Sequence, residues 1–129
     1  MIEVGRKRAY AIKRETLDLI LEVSKENFPN EFAGVLRCED GIITEIMLLP
    51  GTISGERSAL LRLHMLPIDY TVVGTVHSHP SENNNPSGAD LGLFGKFGYV
   101  HIITKVPYKP DSWKSWDLDG NPYSLEVID

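Results

Sequence analysis

The sequence predicts an α/β fold in which a mixed β-sheet is covered on its faces by helices. Two stretches with helical periodicity are preceded, separated and followed by short apolar runs of strand length, the pattern of a sheet with helices packed on it. The chain has 129 residues, of which 42% are hydrophobic and 24% charged, as in an ordinary globular domain with a real core. Because no repeat, low-complexity tract or linker divides it, we expect a single domain over residues 1–129.

The first helix is predicted over Arg14–Asn27. Leu17, Ile20 and Leu21 recur at helical spacing and form one apolar stripe, while charged residues fall mainly on the other side. Pro29 should end this helix, because proline cannot supply the backbone N–H that a further turn requires.

The second helix is predicted to begin at Ser87 and to run to about Phe97. Serine is a good N-cap residue, since its side-chain oxygen accepts a hydrogen bond from the backbone of the first turn. Gly92 and Gly95 lie within this segment and cost about 1 kcal/mol each relative to alanine. Gly98 is available as the C-terminal cap.

Apolar runs of strand length surround these two helices. The runs are Arg8–Ile12, Phe32–Cys38, Ile42–Leu49, Ser58–His64, Tyr70–Val76, Tyr99–Lys105, Trp113–Leu118 and Tyr123–Ile128. The first of them should be a short edge strand. Asp40-Gly41 separates the second run from the third, and Asp119-Gly120 separates the last two. Since Asp-Gly between apolar runs is a strong hairpin signal, we expect a hairpin at each place.

Composition and charge narrow the function classes. The net charge of −5 argues against a general affinity for nucleic acid, because no basic stripe is available to neutralise phosphates. Cys38 is the single cysteine, so no intrachain disulfide can form and a reducing compartment is natural. No apolar stretch is long enough for a signal peptide or a membrane span. We therefore expect a cytoplasmic protein that binds neither nucleic acid nor membrane, with Cys38 as a small core residue.

Two histidines follow directly after the predicted strand Tyr70–Val76. In an extended strand, residues two apart point to the same face, so His77 and His79 can converge on one ion. Asp90 would lie in the first turn of the second helix, where it can turn back towards both imidazoles. Two neutral imidazoles and one carboxylate suit Zn²⁺, with a fourth position left to water. On residue chemistry alone, the alternative is a pair of polar side chains near a surface.

Other polar residues have ordinary structural interpretations. Ser78 should point away from the metal because strand side chains alternate, and Pro80 should shape the following loop. His64 and His101 are interpreted as structural histidines, and Glu82 as a solvated side chain.

The residues around the two histidines resemble the signature of the JAMM (MPN-plus) metalloprotease family. The signature reads His-x-His-x₇-Ser-x-x-Asp and is complete here as His77, His79, Ser87 and Asp90. That family also has a glutamate near the end of its first helix, at the entry to the next strand, and Glu31 matches it. The resemblance covers nearly the whole chain. It implies a curved mixed sheet between helices, similar to the cytidine deaminase-like architecture, and one catalytic Zn²⁺ held by His77, His79 and Asp90.

The resemblance also implies a function, that of a zinc isopeptidase removing ubiquitin or a ubiquitin-like protein from a lysine amide. Zinc would lower the pKa of its bound water and polarise the scissile carbonyl. Glu31 is the candidate for taking a proton from that water and delivering it to the departing lysine nitrogen. From the residues alone, it is an exposed glutamate just past a helix end. Ser87 has two compatible roles, as the helix cap and, by the family's assignment, as a hydrogen-bond donor to the oxyanion of the tetrahedral intermediate.

The chain departs from some eukaryotic relatives in two connections. Those near Gly51–Arg57 and Val106–Ser112 are short, and the second contains no Cys or His, so a second zinc and linkage selectivity are not expected. The chain looks more like the small prokaryotic and archaeal members, which are linked to ubiquitin-like modifiers and sulfur-carrier proteins. The Gly-Gly tail of such a partner could add as a strand along Ser58–His64. The modifier, its target and the oligomeric state stay open.

The main alternative function is a non-catalytic MPN scaffold that only binds protein partners. Such relatives usually lack one or more metal ligands, whereas His77, His79, Asp90 and Glu31 are all present here. Two histidines and one carboxylate also suit an iron oxygenase, which metal analysis would distinguish. A cytidine deaminase is disfavoured because the sequence lacks the Pro-Cys-x-x-Cys ligands of that chemistry.

Overall fold

One mixed sheet organises the part of the chain that the structure describes. The computed structural model describes residues 9–48 and 71–129. Its elements, in chain order, are β1 (Ala11–Lys13), α1 (Arg14–Asn27), β2 (Ala33–Glu39), β3 (Ile42–Leu48), β4 (Val72–Ser78), α2 (Gly88–Phe94), β5 (Val100–Thr104), β6 (Trp113–Trp116) and β7 (Glu126–Ile128). These strands form one sheet in the order β6-β5-β4-β2-β3-β1-β7, with both parallel and antiparallel pairs. The predicted mixed, curved sheet with flanking helices is confirmed.

The two described helices lie on opposite faces of the sheet. Neighbouring residues of a strand point to opposite faces. In β2, Leu36 packs in the hydrophobic cluster that contains Leu17 of α1, whereas Val35 packs in the cluster that contains Leu93 of α2. The sheet therefore has an α1 face and an α2 face, and it is buried on both.

Helix α1 has the predicted bounds Arg14–Asn27. Its apolar stripe, Leu17, Ile20 and Leu21, is buried, and each such side chain contributes about 1.5–3 kcal/mol relative to an exposed one. Pro29 lies just beyond the end of the helix, as predicted. Neither helix in the described ranges is long and apolar enough to cross a membrane.

The predicted hairpin between β2 and β3 is confirmed. The two strands pair antiparallel, and Glu39 lies opposite Ile42 at the closed end. Asp40 and Gly41 have positive φ values of 53° and 81°. This is the backbone conformation of a type I′ turn, which matches the twist of the strands that it joins.

The predicted second hairpin, between Trp113–Leu118 and Tyr123–Ile128, is wrong. The chain does turn between these segments, but an isolated bridge from Trp116 to Pro122 is the pairing found there. Pro122 has no backbone N–H, so it cannot extend a ladder of hydrogen bonds. Strand β7 instead pairs parallel with β1 at the opposite end of the sheet.

The predicted edge strand Arg8–Ile12 also differs from the structure. The observed strand β1 spans Ala11–Lys13 and has β3 on one side and β7 on the other, both parallel to it. The partner that covers its outer side comes from the far end of the chain. A local pattern carries no information about so distant a pairing.

Helix α2 is shorter than the predicted segment Ser87–Phe97. It spans Gly88–Phe94, and the C-cap position is occupied by Gly95 rather than by Gly98. Gly98 has a φ of +115°, and a Cβ atom there would lie 2.4 Å from the carbonyl oxygen of Val73. Gly98 therefore serves the close approach of the chain to β4 at the entry to β5, not the end of the helix.

Some of the predicted elements lie outside the described residues. They are the loop Gly51–Arg57 and the strand Ser58–His64, which was the expected edge for a bound tail. The interpretation of His64 as a structural histidine also falls there.

Candidate metal centre

Strand β4 brings both histidines to one end of the sheet. Because the strand extends to Ser78, His77 lies inside it rather than after it, and β2 and β5 pair with it on either side. His77 is 8% exposed. His79 follows the strand, and its backbone N–H donates to the carbonyl of Thr104 at 2.9 Å. The two imidazole rings lie with their centroids 5.0 Å apart, so the predicted convergence of the histidines is observed.

The start of α2 brings a carboxylate to these histidines. Ser87 is the N-cap of the helix, and its Oγ accepts a hydrogen bond from the backbone N–H of Asp90 at 3.1 Å. The Asp90 carboxylate in turn accepts from the backbone N–H of Ser87 at 2.9 Å. This reciprocal arrangement is a capping box. It holds Asp90, which is 1% exposed, against the end of β4.

The geometry of the cluster fits a tetrahedral metal ion. Among the described residues, His77, His79 and Asp90 are the group whose ligand atoms could hold one. The two Nε2 atoms lie 3.2 Å apart, and they lie 3.1 and 3.2 Å from the carboxylate oxygens of Asp90. Zinc bonds of about 2.0–2.1 Å in a tetrahedral site set the ligands about 3.3 Å apart. Two imidazole nitrogens and one carboxylate oxygen also leave one position open, as catalytic zinc sites do.

A backbone carbonyl fixes the tautomer of His79. Its Nδ1 lies 2.9 Å from the carbonyl oxygen of Asn83. Since a carbonyl can only accept, Nδ1 carries a proton, and Nε2 is the nitrogen left to bind a metal ion. Asn83 contributes through its backbone, so its side-chain identity gave no signal in the sequence.

The charges in the cluster are arranged for a cation. Burial by itself would raise the pKa of Asp90, but hydrogen bonds from His77 and His79 outweigh it and hold that pKa far below its usual range. Burial by itself would lower the pKa of His79, but the hydrogen bonds to Asp90 and Asn83 outweigh it and raise that pKa. The carboxylate is therefore ionised at neutral pH.

Glu31 lies beside the cluster rather than in it. Glu31 lies two residues before Ala33, which the ladder between β2 and β4 pairs with His77. Glu31 is half-buried, and its negative charge contributes to the raised pKa of His79. The structure thus places a carboxylate next to the candidate ligands, at the position that the sequence indicated.

Tyr108 is a neighbour of the cluster that the sequence did not indicate. Its side chain is 5% exposed, and its hydroxyl donates to the backbone carbonyl of His79 at 2.9 Å. Burial, and after it the charge of Glu31, raises the pKa of this phenol. Tyr108 has a positive φ of 61° in the loop between β5 and β6. No residue pattern predicts that this loop folds back over the end of β4.

The remaining polar residues are placed as the sequence suggested. The Ser78 hydroxyl contacts the backbone of Phe32, on the side of the strand away from the histidine rings. Glu82 is exposed. His101 is fully buried, its Nε2 donates to the carbonyl of Gly98 at 3.1 Å, and its ring stacks on Phe94 at 4.2 Å. His101 is therefore a structural histidine of the core.

Comparisons with known proteins give the family. A family model described as prokaryotic homologues of the JAB domain matches residues 13–119. A probable metalloprotease of Haloferax volcanii is 39% identical over 133 residues, covering 95% of this chain and 82% of the relative.

Two solved structures carry the same fold at substantial identity. A JAB1/MPN domain protein from Archaeoglobus fulgidus is 39% identical with a TM-score of 0.78, covering 92% of this chain and 99% of that one. A structure described as a JAMM metalloprotease-like zinc site of the proteasome and signalosome is 36% identical with a TM-score of 0.75, covering 94% and 99%. Because the family model also matches most of this chain, the chain belongs to the JAMM (JAB/MPN) metalloprotease family, among the prokaryotic homologues of the JAB domain.

Proposed function

We propose that this chain is a zinc-dependent isopeptidase or peptidase that hydrolyses the bond after the C-terminal Gly-Gly of a ubiquitin-like modifier or sulfur-carrier protein. The observation that carries the proposal is the convergence of His77, His79 and Asp90, with the charge of Glu31 acting on His79 from outside the group of ligand atoms. A metal with one open position next to a free carboxylate is the arrangement of a metal-assisted hydrolase. Membership of a metalloprotease family supports it.

His77, His79 and Asp90 would hold the zinc ion through two nitrogens and one oxygen. When bound, zinc supplies Lewis-acid chemistry, lowering the pKa of water and polarising the scissile carbonyl. The chain prepares the ligands in two ways. Asn83 fixes the tautomer of His79, and the capping box with Ser87 orients the carboxylate of Asp90. Such partners of metal ligands keep the ligand atoms aimed at the ion.

Glu31 would move the proton that amide hydrolysis requires. An amine departs poorly from a tetrahedral intermediate unless its nitrogen is protonated first. The carboxylate of Glu31, whose charge acts on His79, would accept a proton from the attacking water and deliver it to the leaving nitrogen. This role requires a carboxylate close to the metal position but not ligated to it, and general acid–base catalysis of this kind contributes about 100- to 10,000-fold.

Ser87 would stabilise the oxyanion of the tetrahedral intermediate. Its Oγ already accepts from the N–H of Asp90, so the same residue joins the helix cap, a candidate ligand and the reaction centre. The hydroxyl proton is the donor that we assign to the oxyanion. Removal of one such donor costs about 2.7–4 kcal/mol of transition-state stabilisation in other enzymes.

The substrate class and the location belong to the same proposal. The loop between β5 and β6 is short, as in small family members that act on ubiquitin-like modifiers and sulfur carriers. We propose that the Gly-Gly tail binds as an added strand, because an extended peptide gains main-chain hydrogen bonds when it is added to a strand edge. The edge that the sequence predicts for it, Ser58–His64, lies outside the described residues. We also propose a cytoplasmic location, which the single cysteine supports because a lone thiol suits a reducing compartment.

The proposal is tested by metal analysis together with cleavage of a defined substrate. The substrate is a ubiquitin-like protein joined through its terminal Gly-Gly to a lysine side chain, with a matched conjugate that ends in Ala-Ala as control. We expect cleavage after the second glycine by the zinc-loaded protein, loss of cleavage with a chelator and recovery when zinc is restored. The Asp90→Asn variant should bind no zinc and cleave neither conjugate.

Three results would contradict the proposal. Iron in place of zinc, with oxygen-dependent turnover, would indicate an oxygenase. Equal cleavage of the Gly-Gly and Ala-Ala conjugates would remove the proposed substrate class. If the wild-type protein bound no metal under zinc-replete conditions, a non-catalytic MPN scaffold would become the better account.

A further inference from the structure

Ser78 lies between the two histidines in the chain, but its side chain contacts the backbone just before β2 rather than the metal cluster. It is fully buried, and its Oγ accepts a hydrogen bond from the backbone N–H of Phe32 at 2.9 Å. Its own backbone N–H donates to the carbonyl of Phe32 at 3.1 Å. One residue of β4 therefore holds both backbone polar groups of Phe32, which directly follows Glu31.

The side chain of Ser78 takes the place of a backbone group in the ladder between β2 and β4. This ladder pairs Ala33 with His77, so the same register sets Phe32 opposite Ser78. In a regular antiparallel ladder, a hydrogen-bonded pair of residues exchanges two backbone N–H···O bonds. Here the N–H of Phe32 is received by the hydroxyl of Ser78 instead. The chain thus leaves the ladder at Phe32 while it is still tied to β4.

In the described part of the chain, the two hydrogen bonds between Ser78 and Phe32 are the ones that join β4 to the segment nearest Glu31. Glu31 lies before the start of β2, between the end of α1 and Phe32. The Phe32 side chain is buried in the cluster on the α1 face. With its side chain buried and its backbone held by Ser78, Phe32 leaves the preceding residue little freedom to move away from His79.

We propose that Ser78 is a positioning residue whose hydroxyl holds Glu31 beside the two histidines. The inference rests on the proposed function of Glu31 in proton transfer. It identifies the Ser78 hydroxyl as the group that sets the distance of Glu31 from the metal position. One tripeptide, His77-Ser78-His79, then performs two tasks on opposite faces of β4. Its histidines present their rings to the α2 side, and its serine fixes the backbone next to the general base.

Loss of the hydroxyl should act on the rate rather than on metal binding. Without it, the N–H of Phe32 is buried and lacks the acceptor that it has now, which is unfavourable. The segment would shift to recover a partner, and Glu31 would move with it. The backbone bond from Ser78 to Phe32 and the ligand atoms of His77 and His79 do not involve the hydroxyl.

The test compares Ser78→Thr with Ser78→Val. Both side chains are β-branched and similar in shape, so they impose the same packing change, but only threonine keeps a hydroxyl. We expect full zinc content in both variants and equal KM, with a kcat at least about tenfold lower for the valine variant. Ser78→Ala, which adds no atoms to the core, should show the same loss relative to wild type.

Two further measurements separate positioning from a general structural effect. In the metal-free protein, amide hydrogen exchange at Phe32 should be faster in the valine variant than in the threonine variant, independently of any turnover. The residual turnover of Glu31→Gln, about 100- to 10,000-fold below wild type, should fall no further when Ser78 is also replaced by valine, because residues that act through one another are not additive.

A failure of the role proposed for Glu31 and a failure of the role proposed for Ser78 give different results. If Glu31→Gln kept wild-type turnover, the proposed role of Glu31 would fail and this inference with it. If Glu31→Gln had the expected low turnover while the threonine and valine variants had equal kcat and equal exchange at Phe32, this inference alone would fail. Loss of zinc from the valine and alanine variants would also overturn it, because the hydroxyl would then support the ligands rather than Glu31.

Discussion

Ser87 and Asp90 hold each other at the start of α2 through two reciprocal hydrogen bonds, of 3.1 Å from the N–H of Asp90 and 2.9 Å from the N–H of Ser87. The second bond ends on Oδ2 of Asp90, the same oxygen that lies 3.2 Å from Nε2 of His79. The helix cap therefore aims the candidate ligand. A single serine links the stability of a helix, the orientation of a carboxylate and, in the proposed function, the oxyanion.

Replacement of Ser87 by alanine should separate these roles. Loss of the cap alone costs about 1 kcal/mol of unfolding free energy, whereas loss of an oxyanion donor lowers turnover by about 100- to 1,000-fold. We expect both effects in Ser87→Ala, measured by chemical denaturation and by steady-state kinetics of the zinc-loaded protein. Ser87→Thr keeps the hydroxyl and is the control. A stability loss with turnover reduced less than tenfold would assign Ser87 to the cap only.

Tyr108 should support the metal site through the backbone of His79. Its hydroxyl donates to the carbonyl of that residue at 2.9 Å, and Tyr108→Phe removes this bond while keeping the ring in place. Loss of a residue that hydrogen-bonds to a metal ligand typically lowers metal affinity by about 10- to 100-fold. We expect a loss of about tenfold, because Tyr108 contacts the backbone of His79 rather than its imidazole. Competition with a chromophoric chelator measures the zinc dissociation constant. An unchanged constant would exclude this supporting role.

His101 should make the stability of the protein depend on pH. Burial, which outweighs its hydrogen bonds, lowers its pKa from 6.5 to about 4. The neutral ring donates from Nε2 to Gly98 and accepts at Nδ1 from the Thr75 hydroxyl at 2.7 Å. Below pH 6.5 the unfolded chain takes up a proton on this histidine and the folded protein does not, until the pH approaches 4. The contribution is therefore fully favourable above pH 6.5, and stability falls as the pH drops from 6.5 towards 4.

The size of this effect can be measured by denaturation of the metal-free protein at several pH values. The shift of pKa corresponds to about 3 kcal/mol across the window. His101→Gln removes the titrating group. The unfolding free energy of this variant should therefore be lower than that of the wild type at neutral pH, but it should fall less steeply between pH 6.5 and 4. The same slope in the variant and the wild type would show that other groups cause the acid sensitivity.

Local signals predicted the parts of the fold that depend on neighbours in the sequence. The bounds of α1 followed from the stripe Leu17, Ile20 and Leu21, and the first hairpin followed from Asp40-Gly41. The pairing of β7 with β1 could not be predicted, because it joins the two ends of the described chain. The single domain over residues 1–129 stays a prediction.

The site divides in the same way. The spacing of His77, His79 and Asp90 predicted that their side chains converge, since strand alternation and an N-cap determine where these side chains point. Asn83 and Tyr108 act through a backbone carbonyl and through a loop that folds back on β4. Neither contact depends on a recognisable residue pattern, so only the folded chain reveals them.

The most direct test of the central claim compares the wild-type protein with Glu31→Gln for zinc content and for cleavage of a Gly-Gly-linked ubiquitin-like substrate. Glutamine keeps the size of the side chain but cannot carry a proton between water and the leaving amine. We expect about one zinc per chain in both proteins, as in a site with three protein ligands, and turnover about 100- to 10,000-fold lower in Glu31→Gln than in the wild type. Equal turnover by both proteins, or a wild-type protein that binds no zinc when zinc is plentiful, would contradict the account.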